Sequence, residues 1–216
     1  MKVKICGITS IQDGLGAAQA GADLLGFNFY QGSPRAIDIA TCRKIVSHIQ
    51  QEYPHIVLVG IFVNETSQEV ERILEACDLD LAQLSGDEPV NHIHGFKGRA
   101  YKALRPDREG FLETEAKAYL NLEEPALLLD AHQPGLYGGT GTTGNWQAAA
   151  RLAQIYPILL AGGLNPGNVS RAVRSVRPWG VDVASGVEST PGRKDIEKVR
   201  EFIRIAKQVE IERQVC

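Results

Sequence analysis

The sequence predicts an α/β protein of one domain, a closed (β/α)8 barrel in which eight parallel strands alternate with helices. Eight short apolar runs alternate with amphipathic segments along the whole chain. Glycine-rich turns follow the seventh and eighth runs, where barrels of this class commonly bind phosphate. An open doubly wound sheet is the alternative, but the count of eight favours the barrel. We therefore expect the active site at the carboxyl ends of the strands.

Several of the apolar runs are nearly continuous, as is typical of parallel strands that are covered on both faces. We expect these runs to form the strands of one domain that spans residues 1–216. In chain order they are Val3–Ile5, Leu24–Phe29, Ile56–Phe62, Leu79–Leu84, Arg99–Leu104, Ala126–Asp130, Ile158–Ala161 and Val181–Ala184.

Helical spacing of apolar residues fills most of the gaps between these runs. The spacing is seen in Ile39, Cys42, Val46 and Ile49, in Val70, Ile73, Leu74 and Cys77, and in Ile196, Val199, Ile203 and Ala206. Helix starts are predicted by the capping-box pairs Thr66 with Glu69 and Thr9 with Gln12, and by Asn165-Pro166. The segment 89–93 after the fourth run is too short for a helix to be predicted with the same argument.

Composition excludes several classes of function. Hydrophobic residues make up 44% of the chain and charged residues 23%, and the net charge of −3 argues against nucleic acid as a partner. No apolar stretch has membrane-spanning length and the first residues do not resemble a signal peptide, so we expect a cytoplasmic protein without a membrane partner. No C-x-x-C pair occurs among the four cysteines, which disfavours a zinc site or a redox dithiol.

The glycine-rich turns after the last two strands are candidate phosphate loops. Gly162 and Gly163 follow strand 7, and Ser185 and Gly186 follow strand 8. Glycine lets backbone N–H groups approach an anion closely. Tight turns without a ligand are the alternative interpretation. A third glycine-rich stretch, residues 138–144 after strand 6, lacks the P-loop pattern and could be a lid over the site or a surface loop.

Polar side chains at the ends of other strands are the candidate catalytic and binding groups. Cys6 ends strand 1 just before the first helix, whose N-terminus could lower the thiol pKa. Asp130 ends strand 6 after apolar residues and could serve as a general acid. Arg35, in the loop after strand 2, could bind a carboxylate. Each also has an interpretation without a function: Cys6 as a packed thiol, Asp130 as a turn residue and Arg35 as a surface charge. Asp182, at the end of strand 8, is as ambiguous as Asp130.

Taken together, these motifs resemble the phosphoribosylanthranilate isomerase family of tryptophan biosynthesis. The resemblance runs from the first strand to the last helix, and the opening motif combined with an aspartate on strand 6 is its most specific part. The matching segments are Lys4-Ile5-Cys6-Gly7-Ile8-Thr9, Ser33-Pro34-Arg35, Gln83-Leu84, Gly86-Asp87-Glu88, Leu128-Leu129-Asp130, Gly138-Gly139-Thr140-Gly141, Leu160-Ala161-Gly162-Gly163-Leu164, Ser185-Gly186-Val187-Glu188 and Pro191-Gly192-Arg193-Lys194-Asp195.

The resemblance implies an Amadori rearrangement of an aminoaldose phosphate that carries anthranilate. It implies that Asp130 is the general acid and Cys6 the general base, and that no metal or organic cofactor takes part. The residues implied in substrate binding are Arg35, Asp182 and Gln83. Those implied in phosphate binding are Gly139, Thr140, Gly141, Gly162, Gly163, Ser185 and Gly186.

Two departures from the family pattern leave alternatives open. Ser85 stands where the family commonly has histidine, and residues 142–145 lack the lysine and aspartate that often occur there. A bifunctional isomerase of the histidine and tryptophan pathways is one alternative. The resemblance to that class would imply a pair of aspartates on strands 1 and 5, whereas strand 1 here ends in Cys6. A ligand-binding paralogue without activity is the other. The sequence leaves a monomer and a homodimer equally open.

Overall fold

A computed structural model describes residues 1–105, 112–120, 123–130 and 146–215. Eight parallel strands form a closed barrel in sequence order, with the last strand paired to the first. The (β/α)8 fold class is therefore confirmed. The strands are β1 (Lys2–Cys6), β2 (Leu24–Asn28), β3 (Val57–Phe62), β4 (Leu81–Leu84), β5 (Ala100–Leu104), β6 (Leu127–Asp130), β7 (Ile158–Ala161) and β8 (Gly180–Val183).

Helices surround the barrel, and their apolar faces pack on the outward-facing side chains of the strands. A smaller apolar cluster, which includes Leu24, Val59 and Leu128, comes from the inward-facing side chains of several strands. The helices are α1 (Ile11–Gln19), α2 (Ile39–Glu52), α3 (Ser67–Cys77), α4 (Val90–Gly95), α5 (Leu112–Ala118), α6 (Trp146–Ala153), α7 (Val169–Val176) and α8 (Ile196–Val215).

Helix starts agree with the sequence at one of the three predicted positions. Thr66 caps α3 by accepting a hydrogen bond from the Glu69 N–H, as predicted. The prediction of Thr9 as a cap was wrong. Ser10 caps α1 by accepting from the Asp13 N–H, since the Thr9 hydroxyl donates instead to the Gly192 carbonyl at 2.5 Å.

The prediction of Asn165 as a helix cap was also wrong, because α7 begins only at Val169 and its cap residue is Asn168. The Asn165 side chain accepts a hydrogen bond from the Gly167 N–H at 2.9 Å and so forms a local turn. Residues 90–95 form the short helix α4, in a segment where no helix was predicted.

A short hairpin after the last barrel strand covers one side of the barrel mouth. It consists of β9 (Glu188–Thr190) and β10 (Arg193–Lys194), and a short 3-10 helix at Ser185–Val187 precedes it. The bond from Thr9 to Gly192 ties the hairpin to the loop after β1. A Cβ atom at residue 192 would lie 3.0 Å from the Pro34 carbonyl oxygen, so the hairpin also packs closely on the loop after β2.

Candidate active site

Cys6 and Asp130 both lie at the carboxyl ends of barrel strands, Cys6 on β1 and Asp130 on β6. Side chains alternate along a strand, so Cys6 faces the same side as Lys4, whose ammonium lies inside the barrel. Asp130 likewise shares the inner face with Leu128 of the interior cluster. Both side chains are partly exposed. A thiol and a carboxyl group therefore point into the same mouth.

The two glycine loops lie between these groups, because β7 and β8 separate β6 from β1 in the barrel. Gly162 and Gly163 have φ angles of 101° and 65°, which residues other than glycine rarely adopt. A Cβ atom at residue 186 would overlap the carbonyl oxygen of Leu164, so the loop after β8 rests directly on the loop after β7. The backbone of two adjacent loops thus forms one wall of the mouth.

A polar network fills the barrel beneath this mouth. The Lys4 ammonium donates to Gln83 Oε1 at 2.8 Å and to Asp182 Oδ1 at 3.0 Å. The Tyr101 hydroxyl donates to the same Gln83 oxygen at 3.0 Å, and the Gln83 amide donates to Ser85 Oγ at 3.1 Å. Gln83 and Asp182, the predicted substrate-binding residues, are mostly buried members of this network. No buried side-chain nitrogen or oxygen among the described residues lacks a hydrogen-bond partner.

Burial of the Cys6 thiol raises its pKa, because desolvation disfavours the thiolate. The Lys4 ammonium opposes this increase and the Asp182 carboxylate adds to it. The pKa of Cys6 is therefore raised, although the position of Cys6 before the first helix suggested that it could be lowered. Burial by itself would lower the pKa of Lys4. Nearby groups, above all the Asp182 carboxylate, have a larger effect in the other direction, so the pKa of Lys4 lies above its ordinary value.

Arg35 lies at the mouth, where it forms a two-pronged pair with Glu188. Its Nε and Nη2 atoms donate to the two carboxylate oxygens of Glu188 at 2.7 Å each. Lys194 donates to the same carboxylate at 2.9 Å and to the Ala184 carbonyl at 3.2 Å. Burial alone would raise the pKa of Glu188, but the hydrogen bonds from Arg35 and Lys194 outweigh it and lower the pKa. Arg35 is thus held against Gly7, the residue after Cys6, since a Cβ atom at residue 7 would lie 2.5 Å from its Cδ atom.

Sequence reasoning missed Lys4, Tyr101, Glu188 and Lys194 as members of the site. Lys4 and Glu188 stand within the motifs that suggested the family, but single residues of these types are usually solvated. A signal was available for Lys4, because it lies two residues before Cys6 on a predicted strand and must share its side. The predicted phosphate residues Gly139, Thr140 and Gly141, and the predicted lid at 138–144, lie outside the described residues.

Neither a metal cluster nor a membrane-spanning helix is found in the parts of the chain that the structure describes. Within residues 1–105, 112–120, 123–130 and 146–215, no group of three or more His, Cys, Asp or Glu side chains is placed to hold a metal ion. Of the helices in those same ranges, none is both long and apolar enough to cross a lipid bilayer.

The fold and the site define an enzyme of the (β/α)8-barrel class, with polar and glycine-rich groups gathered at the carboxyl ends of its strands. The sequence model of the N-(5′-phosphoribosyl)anthranilate isomerase family matches residues 3–205. The chain therefore belongs to this family of isomerases, which acts in tryptophan biosynthesis.

Individual relatives are similar over nearly their whole length. The N-(5′-phosphoribosyl)anthranilate isomerase of Pelobacter propionicus is 47% identical over 212 residues, which cover 98% of each protein. The crystal structure of the Thermotoga maritima phosphoribosylanthranilate isomerase is similar with a TM-score of 0.85 and 36% identity, and the match covers 96% of this chain and 99% of that one. Another structure of such an isomerase contains reduced 1-(o-carboxyphenylamino)-1-deoxyribulose 5-phosphate, with a TM-score of 0.82, 33% identity and the same coverage.

Proposed function

We propose that this chain converts N-(5′-phosphoribosyl)anthranilate to 1-(2-carboxyphenylamino)-1-deoxyribulose 5-phosphate, with Asp130 as general acid and Cys6 as general base. The resemblance to the family assigns the two roles, and one observation of the structure supports the placement of the pair. The strand order puts the two glycine loops between the strand that ends in Asp130 and the strand that ends in Cys6. A phosphate bound by those loops would therefore hold the sugar between a proton donor and a proton acceptor.

The proposed reaction moves two protons in sequence. Asp130 protonates the ring oxygen of the furanose, and the ring opens to a Schiff base between C1′ and the anthranilate nitrogen. The Cys6 thiolate then removes the proton from C2′ and leaves an enolamine. The ketone forms when C1′ gains a proton from Cys6 and the C2′ hydroxyl gives up its proton, which restores the acid form of Asp130. No oxidant is needed, because the hydrogen lost at C2′ is regained at C1′.

The remaining groups of the mouth suit the other parts of this substrate. We assign the phosphate to the backbone around Gly162, Gly163, Ser185 and Gly186, where glycine permits close approach. Arg35 donates two of its five N–H groups to Glu188, and we assign others to the anthranilate carboxylate. Asp182 and Gln83 lie deeper, and we propose that they act on the anthranilate side of the site.

Substitution of the proposed acid and base tests these roles. We expect Cys6→Ala and Asp130→Asn each to lower kcat by about a hundredfold or more, because each removes one proton-transfer group. Affinity for the reduced product analogue should change little, since the phosphate and carboxylate contacts remain. The measurements are the loss of substrate fluorescence during turnover and the binding of the analogue by calorimetry.

Turnover close to that of the unsubstituted protein in either variant would remove that residue from the mechanism. Loss of analogue binding together with turnover would instead indicate damage to the fold. An assay of the unsubstituted protein on the corresponding histidine-pathway aminoaldose tests the bifunctional alternative. Light scattering decides between monomer and homodimer, which we leave as the two candidate states.

A further inference from the structure

Lys4 is a fully buried lysine that the reaction described above leaves without a role. It lies on β1 two residues before Cys6, and its side chain points into the barrel. Gln83 Oε1 and Asp182 Oδ1 accept two of its three N–H bonds, at 2.8 and 3.0 Å. A lysine is almost never fully buried unless it is paired, because removing its charge from water is costly.

Stability alone does not explain this arrangement. A buried ion pair such as Lys4 with Asp182 contributes little net stability, and apolar residues of similar volume often do as well. The pair instead gives the inside of the mouth a cation at a fixed position. Residues two apart on a strand point to the same side, so the Lys4 ammonium lies on the same inner face of β1 as the Cys6 sulfur, where its charge favours the thiolate.

We propose that Lys4 is a positioning residue of the isomerisation, whose ammonium, held between Gln83 and Asp182, stabilises the Cys6 thiolate. The inference rests on the proposed role of Cys6 as base. A base must be deprotonated to act, and burial works against the thiolate. The ammonium is the main influence that favours it.

Other charged or titratable groups also face the thiol, and they do not replace Lys4. Arg35 and Lys194 both pair with Glu188, whose single carboxylate neutralises one of their two charges, and Lys194 favours the thiolate less than Lys4 does. Asp182 disfavours the thiolate. The groups that interact electrostatically with Cys6 are Lys4 on β1, Arg35 after β2, Tyr101 on β5, Asp182 on β8 and Lys194 on β10. Asp130 ends β6 at the same mouth.

The direct test measures the ionisation of Cys6 without using turnover. The rate of alkylation by iodoacetamide is followed against pH, and mass spectrometry of the peptide that contains Cys6 separates it from the other cysteines. We expect Lys4→Met to move the alkylation profile to higher pH and to slow the reaction about tenfold or more near neutral pH, since only the thiolate reacts. An unchanged profile would overturn the proposal.

A pair of variants keeps the test valid if Lys4→Met alone does not fold because Asp182 is left unpaired. Lys4→Met/Asp182→Asn removes both charges, and its comparison with Asp182→Asn isolates the contribution of Lys4. We expect the double variant to titrate at higher pH than the single one. Equal profiles would contradict a role for the ammonium.

Lys102→Met is the matched control, because Lys102 is a second buried lysine, which pairs with Glu88. It should lower stability and leave the alkylation profile of Cys6 unchanged; a profile shifted as in Lys4→Met would indicate a general effect of lost buried charge and overturn the proposal.

Turnover gives an independent measurement for the same variants. The acid limb of kcat/KM against pH should move to higher pH in Lys4→Met, with activity partly recovered in alkali. A purely structural role would lower kcat/KM equally at every pH. If Cys6→Ala proves active, the proposed base is wrong. The alkylation experiment would still test whether Lys4 stabilises the Cys6 thiolate, because it does not use turnover.

Discussion

Glu188 shows how one carboxylate can organise a whole side of the mouth. It receives both prongs of Arg35 and the ammonium of Lys194, and it is mostly buried. Charge-assisted bonds of this two-pronged kind fix direction as well as distance. Because Arg35 is the proposed partner of the anthranilate carboxylate, Glu188 sets where that partner stands.

We expect Glu188→Gln to raise KM about tenfold or more while kcat falls less. The amide keeps one acceptor oxygen, so it cannot receive both prongs of Arg35, and the guanidinium loses its fixed direction. The proton-transfer groups Cys6 and Asp130 remain in place. Steady-state kinetics of the purified variant provide the measurement.

The surface of α3 offers a matched control for this substitution. Glu69 receives the same two-pronged pair from Arg72, with both distances again 2.7 Å, but both side chains are exposed. Exposed pairs contribute little, so Glu69→Gln should leave KM and stability close to unchanged. A similar rise in KM in both variants would contradict the special role of Glu188.

At this scale the sequence made Arg35 a candidate but did not predict its partner Glu188. Arg35 was a candidate because it follows a strand, which is a local property of the chain. Glu188 stands 153 residues away, and its pairing depends on how the last hairpin folds back over the first loops. A pattern within one segment carries no information on such a contact.

The two glycine loops act as a unit at the scale of the elements. Gly186 touches the Leu164 backbone so closely that no side chain fits between them. The position of the loop after β8 therefore depends on the position of the loop after β7. A phosphate bound by both loops would depend on this contact even though neither Gly186 nor Leu164 brings a polar side chain.

Gly186→Ala should weaken phosphate binding about tenfold or more and lower stability by about 1–3 kcal/mol, because the added methyl group separates the two loops. Inhibition by inorganic phosphate reports the first effect and urea unfolding the second. Gly95→Ala is the control, since a Cβ atom there meets nothing within 4 Å. Unchanged phosphate inhibition in the Gly186→Ala variant would remove this wall from the proposed site.

The elements themselves were predictable because strands and glycine turns are local features. All eight apolar runs became barrel strands, with ends that match the prediction or differ from it by one or two residues. Helix starts were less predictable, because a Thr or Asn side chain can bind several nearby partners with similar energy. Thr9 and Asn165 bonded elsewhere, and the true caps lie one and three residues further on.

At the scale of the whole molecule, closure of the barrel creates the site. The last strand pairs with the first, which places Asp182 beside Lys4 although 178 residues separate them. The sequence predicted closure from the number of strands and from the glycine-rich turns after the last two of them. It could not predict the interior network, because the inward direction of Gln83, Tyr101 and Asp182 becomes a contact only once strand register is fixed.

Another buried ion pair lies near β4 and β5, across the barrel from β1 and β8. The Lys102 ammonium donates to Glu88 at 2.6 Å and also to the Gly86 carbonyl. Glu88 in turn accepts from the N–H groups of Asn64 at 2.9 Å and Gly86 at 3.0 Å. Burial alone would raise the pKa of Glu88, but the bonds from Lys102 and the backbone outweigh it and lower the pKa. The loops after β3 and β4 are joined through this one carboxylate.

The stability of the whole chain should therefore depend on the ionisation of Glu88. A carboxyl group whose pKa is lower in the folded state stabilises the fold above its unfolded pKa, which is about 4.3 for glutamate. That contribution disappears as the pH falls through the lower, folded value. Glu88→Gln should cost about 3 kcal/mol near neutral pH, because Lys102 is left buried without a carboxylate.

Below about pH 4 the difference between the two proteins should narrow, by at most about 1.4 kcal/mol per pH unit for the single proton involved. Urea unfolding of both proteins between about pH 7 and pH 3 measures this difference directly, and other carboxylates cancel because both proteins contain them. A difference that stays constant across that range would mean that the folded and unfolded chains bind the Glu88 proton equally, so that folding does not lower the pKa of Glu88.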